Sequence, residues 1–338
     1  MIPYFTALSK ALQQLLSGYD SNWLSQKKFL TIIEQAENQN PWFTQNNIRY
    51  ALTQIATNLR ADNLKQWLSA YPQITVPKQV KTIAVIMAGN IPLVGFHDML
   101  TVLISGHKLI GKLSSKDAVL PKMIQQILIN INPEFKNKIF FTETQLKNFE
   151  AVIATGSTNS AQVFYQYFEK YPHIIRQNRN SVAIITGNET TEDLKKLGHD
   201  IFCYFGLGCR NISKIYIPEN YPIENLTGYF SEFSYIRNHN KYMNNYDYQK
   251  AIFLMNDLSF LDGNFFLMQE NNNLSSPISI IFYERYRNLN HLKLQLQTLQ
   301  HKLQVVVSKE NNNFGHTQQP NLWDYADGID TLNFILNL

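Results

Sequence analysis

Cysteine is nearly absent from this 338-residue chain, which carries only Cys203 and Cys209. Two thiols cannot build a disulfide framework, and they lack the paired spacing of zinc ligands, so no metal and a reducing, cytoplasmic setting are expected. Long apolar runs are also missing. The opening segment MIPYFTALSKALQQLLSGYD is broken by Lys10, Gln13 and Gln14 and has no small-residue cleavage site, unlike a signal peptide. No later stretch stays apolar long enough to span a bilayer. Charge is scarce at 17%, and the net charge of +4 is spread along the chain without a basic run. Nucleic-acid binding gains nothing from that distribution, whereas local focusing in a cleft would suit a small anionic cofactor, and a merely solvated basic surface would look the same. Neither GxGxxG nor a P-loop occurs, and no internal repeat is seen.

The chain does contain enough hydrophobic sequence, 44%, for a large buried core, and its length favours two lobes with a cleft between them. Residues 1 to 71 read as helices, with Phe5, Leu8, Leu12, Leu15 and Leu16 and then Ile48, Leu52, Ile55 and Leu59 at helical spacing, punctuated by Pro41 and Pro72. From Thr82 the pattern becomes short apolar runs, TIAVIMAG, KLIGKL, KIFF, AVIAT and SVAIIT, alternating with helical segments such as LVGFHDMLTVLIS and DAVLPKMIQQILIN. This alternation predicts an α/β fold with parallel strands and crossover helices. A further helix is expected over 190 to 205, ending at Gly206 and Gly208, with KIYIP as the next strand. Beyond about residue 220 the pattern is mixed, with polar loops at 271 to 273 and 311 to 313 and strands in SPISIIFYE and LQVVVS around a helix near 292 to 303.

Four segments carry candidate chemistry. FGLGCRN, residues 205 to 211, sets Cys209 between glycines and a polar pair where a helix gives way to a strand, a setting in which a carbonyl could reach a thiol. Equally, the glycines could simply end the helix and Cys209 could fill space. Cys203, on the apolar side of the same helix, reads as core. A thiol at a helix C-terminus gains nothing from the helix dipole, so activation would have to come from Arg210, backbone amides or a cofactor. In AGNIPLVGFHD, Asn90 follows a buried strand and Pro92 is expected to open the next helix. There Asn90 could donate to an oxyanion or cap that helix. GKLSSKD, with Lys112, Ser114, Ser115 and Lys116, and ATGSTNS, with Thr155, Gly156 and Ser157, each follow a strand and are expected to open a helix. Such positions suit phosphate or ribose, and also suit ordinary caps and turns.

In this order the segments resemble the aldehyde dehydrogenase superfamily, and more narrowly the LuxC-type acyl-CoA reductases. The most specific words are MAGNIPLVGFHD, KYPHIIRQNRNSVA, FGLGCRN and SSPISIIFYE, within a similarity from NPWFT at 40 to 44 through YADGIDTLNFILNL at the end. The resemblance implies a parallel Rossmann-type nucleotide-binding sheet, a second α/β catalytic domain and a helical N-terminal segment. The expected boundaries are 1–75, 76–187, 188–310 and 311–338, the last segment returning to the cleft. It implies Cys209 as nucleophile, Asn90 with the Cys209 amide as oxyanion hole, Lys112 at the adenosine ribose, and Gly156 with Ser157 beside the nucleotide.

Superfamily members specific for NAD commonly have a glutamate three residues after that lysine. Here Ser115 stands there, followed by Lys116, which favours NADPH over NADH. Arg176 falls at the position of the general-base glutamate of hydrolytic aldehyde dehydrogenases, and Asn273 near that of a glutamate at the nicotinamide ribose. The implied reaction is NADPH-dependent reduction of a fatty acyl thioester, on CoA or an acyl-transferring protein, to the aldehyde through a thioacyl-cysteine. A homo-oligomer is implied too. Three other readings remain: the reverse direction or another acyl donor such as an acyl phosphate on the same scaffold, a cofactor-independent cysteine acyltransferase or thioesterase with His199 or His239 as base, and a non-catalytic scaffold.

Overall fold

A computed structural model describes every residue except 75, 76, 78, 312 and 313. The expected boundary after residue 75 and part of the polar loop at 311 to 313 therefore lie outside the described residues. The chain forms two compact units, one of residues 1–177 with 321–338 and the other of residues 178–320.

The first unit begins with four helices, α1 (Ile2–Leu16), α2 (Gln26–Gln39), α3 (Gln45–Asn58) and α4 (Ala61–Ser69). Ser25 and Thr44 cap α2 and α3 by accepting from backbone amides, and α1 carries proline in its first turn, where the missing N–H costs nothing. There follow β1 (Thr82–Ile86), α5 (Phe96–Ile104), β2 (Lys108–Lys112), α6 (Val119–Ile131), β3 (Ile139–Thr142), β4 (Ala151–Thr155), α7 (Thr158–Phe168) and β5 (His173–Arg176). The strands are all parallel in the order β3-β2-β1-β4-β5. Ile83, Val85 and Ile153 face one core with α5, α6 and the N-terminal helices, while Ala84, Val152 and Ala154 face another under α7. Burial on both faces explains why these strands read as unbroken apolar runs.

The C-terminal residues return to this unit. Leu322, Leu332 and Ile335 join its main core, Tyr71 donates to Asp330, and Trp67 Nε1 donates to the Tyr325 hydroxyl at 2.7 Å. The C-terminal helix, Thr331–Leu336, lies against α5, and Lys81 Nζ binds the carbonyl of Leu338.

The second unit contains β6 (Asn180–Ile184), α8 (Thr191–Phe202), β7 (Ile212–Pro218), α9 (Asn225–Tyr229), α10 (Asn240–Met255), β8 (Leu261–Asp262), β9 (Leu267–Glu270), β10 (Ile280–Tyr286), α11 (Leu289–Thr298) and β11 (Leu303–Val307). Its sheet runs β11-β6-β7-β10-β9-β8, parallel except for the β8–β9 pair. Lys214 on β7 is fully buried, paired with Glu284 on β10 and 4.9 Å from the Tyr216 ring centroid.

Three local expectations need correction. SVAIIT is not a fifth strand of the first sheet: it pairs with β7 and β11, and the fifth strand is HIIR, paired with β4. Pro92 does not open α5. Leu93 adopts φ 57°, its carbonyl accepts from the Phe96 amide at 2.9 Å, and helix begins only at Phe96. Likewise GKLSSKD leads into a turn, and α6 starts at Val119 with no side-chain cap.

Candidate active site

In a parallel sheet, successive strands end on one edge, and ligands bind outside the carboxyl ends where the strand order reverses. In the first unit that reversal lies between β1 and β4, which are neighbours although not consecutive. Ile86 pairs with Lys112 and Thr155 with Arg176, so Lys112, Thr155 and Arg176 are strand-end residues of one edge. Asn90, half-buried, follows β1 at the same edge.

The segment after Lys112 is pinned to the N-terminal helices. Gln39 and Asn40 side-chain amides donate to the carbonyls of Ser115 and Lys116 at 2.7 and 3.3 Å, leaving Ser115 and Lys116 exposed. Ser114 Oγ accepts from the Lys116 amide. Asp117 turns inward: it is 5% exposed, and its Oδ2 accepts from the Leu93 amide at 2.7 Å. Burial pushes its carboxyl up to about 7, against the lowering effect of the Leu93 amide.

After β4, a Cβ on Gly156 would lie 2.8 Å from Ser160 Cβ and 2.9 Å from Phe164, so glycine is required by close packing of α7. Ser157 is the N-cap of α7 and accepts from the Ser160 amide. The expected helix start is found here, and the Ser157 hydroxyl serves that cap.

Arg176 is buried in a polar cluster. One terminal nitrogen donates to both oxygens of Asp98 at 2.8 and 2.7 Å, and the other donates to Thr331 Oγ1 at 2.5 Å. Asp98 is itself 6% exposed, and Arg176 4%. An aspartate inside the largely apolar helix FHDMLTVLI was the available signal for such a pair.

In the second unit, Cys209 lies between α8 and β7 and is half-exposed. The chain reaches it through three consecutive left-handed residues, Tyr204, Phe205 and Gly206, with φ of 52°, 59° and 75°. Asn211 holds this path together. Its Oδ1 accepts from the Gly208 amide at 2.8 Å, and its Nδ2 lies within bonding distance of the carbonyls of Asp200, Ile201 and Cys203. Ser181 Oγ donates to the Cys209 carbonyl at 2.8 Å. Asn211 thus satisfies the helix end that would otherwise present unpaired carbonyls. Sequence reasoning noticed the polar pair after the thiol but not this function. Cys203 is buried at 9% exposure, and desolvation pushes its thiol up to about 12, which agrees with a core role.

The histidines considered as bases are both in this unit. His239 caps α10: Nδ1 accepts from the Tyr242 amide at 3.1 Å, which leaves Nε2 protonated in the neutral ring. Its ring also lies 4.2 Å from that of Phe205. His199 sits in the last turn of α8, and burial lowers its pKa. Among the described residues no cluster of His, Cys, Asp and Glu could hold a metal ion, and no helix is long and apolar enough to cross a membrane.

A parallel nucleotide-type sheet in one unit and a thiol ahead of a strand in the other define an aldehyde-dehydrogenase-like protein. Solved structures agree on the fold. Aldehyde dehydrogenase 21 from Physcomitrella patens has a TM-score of 0.63 at 11% identity, covering 92% of this chain and 78% of its own. Gamma-glutamyl-gamma-aminobutyraldehyde dehydrogenase from Burkholderia cenocepacia gives 0.61 at 9%, covering 93% and 77%. Glyceraldehyde-3-phosphate dehydrogenase GapN from Methanocaldococcus jannaschii, complexed with NADP, gives 0.59 at 11%, covering 93% and 85%. No curated protein sequence matches. The acyl-CoA reductase (LuxC) family matches residues 30–226, more than half of the chain, and the protein belongs to that family. Membership places it among oxidoreductases of aldehyde chemistry.

Proposed function

We propose that the protein reduces a fatty acyl thioester to the aldehyde with NADPH, through a thioacyl intermediate on Cys209. The observation that carries this reading is the contrast between two thiols of one chain: Cys209 half-exposed on a loop braced by Asn211 and Ser181, Cys203 buried and hard to ionise. The Cys209 thiolate attacks the thioester carbonyl, Asn90 and the Cys209 amide receive the oxyanion, and the CoA or carrier thiolate leaves and is protonated. NADPH, when bound, would supply a hydride to the acyl carbon, leaving a hemithioacetal on Cys209. Collapse of that adduct expels Cys209 and frees the aldehyde.

The edge around Lys112 fits the cofactor. Lys112 and Gly156 would flank the adenosine ribose, and exposed Ser115 and Lys116 would accept a 2′-phosphate that a carboxylate would repel. The one acid of that segment, Asp117, is turned into the protein. Arg176 supports reduction over hydrolysis. A guanidinium tied to Asp98 and Thr331 is no base for water, and a thioacyl enzyme awaiting hydride is harmed by water activation.

The test is NADPH oxidation with acyl-CoAs of graded length, comparing wild type with Cys209→Ala and Cys203→Ala. Aldehyde formation lost only in Cys209→Ala is expected. Turnover surviving that change, or acyl transfer without NADPH consumption, overturns the reading.

A further inference from the structure

We infer that Asp117 is a positioning residue for acyl transfer, locking through the Leu93 amide the turn that carries Asn90. This rests on the proposed role of Asn90 at the oxyanion. Between β1 and α5 the chain must reverse within the short segment that carries Asn90, and it does so with Leu93 at φ 57°. A leucine there is in a conformation that L side chains rarely adopt, and such strain persists only where surroundings over-determine it.

Two contacts from the segment after β2 provide that constraint. The Leu93 amide donates to Asp117 Oδ2 at 2.7 Å. A Cβ on Gly89 would lie 2.5 Å from Ser114 Oγ, so backbone on the Asn90 side packs directly on the same segment. The Leu93 side chain is only 5% exposed, which fixes the other side of the turn. Asp117 itself is held by its amide bond to the Ser114 carbonyl at 3.1 Å. Its second oxygen, Oδ1, is buried with no hydrogen-bond partner among the described residues. An acceptor aimed at the amide of left-handed Leu93 fixes the geometry of the turn that holds it. Asp117 touches no reacting atom; it acts through Asn90.

The experiment is single-turnover release of CoA from a saturating acyl-CoA, with NADPH affinity measured in parallel. The proteins are wild type, Asn90→Ala, Asp117→Asn, Asp117→Ala, the volume-filling Asp117→Leu, and the double variant Asn90→Ala with Asp117→Ala. Asn keeps an oxygen for the Leu93 amide, so Asp117→Asn should acylate within about threefold of wild type. Asp117→Ala or Asp117→Leu, whichever folds by circular dichroism, should slow acylation by roughly 10- to 100-fold with NADPH affinity unchanged. The double variant should be no slower than Asn90→Ala alone, because Asp117 works through that residue. The inference is overturned if Asp117→Ala and Asp117→Leu acylate at the wild-type rate, if Asp117→Asn is as slow as they are, or if the two changes multiply. It is also overturned if neither apolar variant folds and Asp117→Asn fails to match wild type. If Asn90→Ala alone leaves acylation unchanged, the oxyanion assignment falls instead.

Discussion

Arg176 and Asp98, far apart in sequence, meet in the core of the first unit with one guanidinium nitrogen bonded to both carboxylate oxygens. Thr331 from the C-terminal helix completes the cluster. The pair thereby ties the end of β5 to α5 and to the returning C-terminus. Asp98→Ala would leave a buried cation without its counter-charge, and a loss of about 3–5 kcal/mol is expected. Urea unfolding measures it. Adding Arg176→Met should recover much of that loss, since an apolar replacement removes the stranded charge.

Thiol chemistry separates the two cysteines without any substrate. At about pH 8, iodoacetamide should modify Cys209 at least tenfold faster than Cys203, because the thiolate is the reactive form and Cys203 is both covered and driven toward the protonated state. Mass spectrometry of the peptides reads the ratio. Equal labelling would contradict the burial difference on which the nucleophile assignment leans.

Asn211 bonds the Gly208 amide and lies within bonding distance of three carbonyls at the end of α8. Truncation to alanine strands the Gly208 amide and the carbonyls at the end of α8, so a stability loss on the order of 2–4 kcal/mol is expected. The same change should lower kcat more than it raises KM, because the left-handed path through Tyr204 and Phe205 relaxes and the thiol loses its fixed position. Thermal melts and steady-state kinetics test the two parts separately.

The central strands β1 and β4 of the first sheet were legible because burial on both faces leaves unbroken apolar runs, and a parallel sheet then places Asn90, Lys112 and Thr155 on one edge. HIIR was passed over because it is short and ends in a charge that only tertiary pairing with Asp98 explains. SVAIIT looked like its predecessors, since an apolar run does not say which sheet it joins. Leu93, Tyr204 and Phe205 carry no mark of positive φ, which local sequence normally signals with glycine. Lys112 to Asp117 could be read as a polar loop, but the inward turn of Asp117 depends on a backbone amide supplied by the segment that follows another strand. The chemical roles assigned to these positions came from family resemblance, because composition and spacing leave each one open to an ordinary cap or turn.

Cofactor choice should respond to two exposed residues. Lys116→Ala is expected to raise the KM for NADPH roughly tenfold while barely changing that for NADH, since only NADPH presents a 2′-phosphate to the ammonium. Ser115→Glu should reverse the preference toward NADH by placing a carboxylate where it bonds both ribose hydroxyls. Paired KM measurements decide the matter, and a parallel loss for both cofactors would show that this segment does not distinguish them.

Asp117 makes stability depend on pH in a direction opposite to that of ordinary paired carboxylates. Its carboxyl rises from 3.8 to about 7 in the folded chain, chiefly because burial penalises the anion. Between about pH 4 and pH 7 the folded state therefore holds a proton that the unfolded state has released, and stability must fall as pH rises through that window. Below the window both states are protonated and the contribution is complete; above it both are ionised and the full loss has been incurred. The loss is on the order of 4 kcal/mol. Asp117→Asn cannot ionise but still offers an oxygen to the Leu93 amide. Its unfolding free energy should therefore lack this fall, and the variant should gain on wild type steadily from about pH 4 to pH 7. Urea melts across that range measure the difference, and parallel curves for the two proteins would mean that the buried carboxyl titrates alike in the folded and unfolded chain.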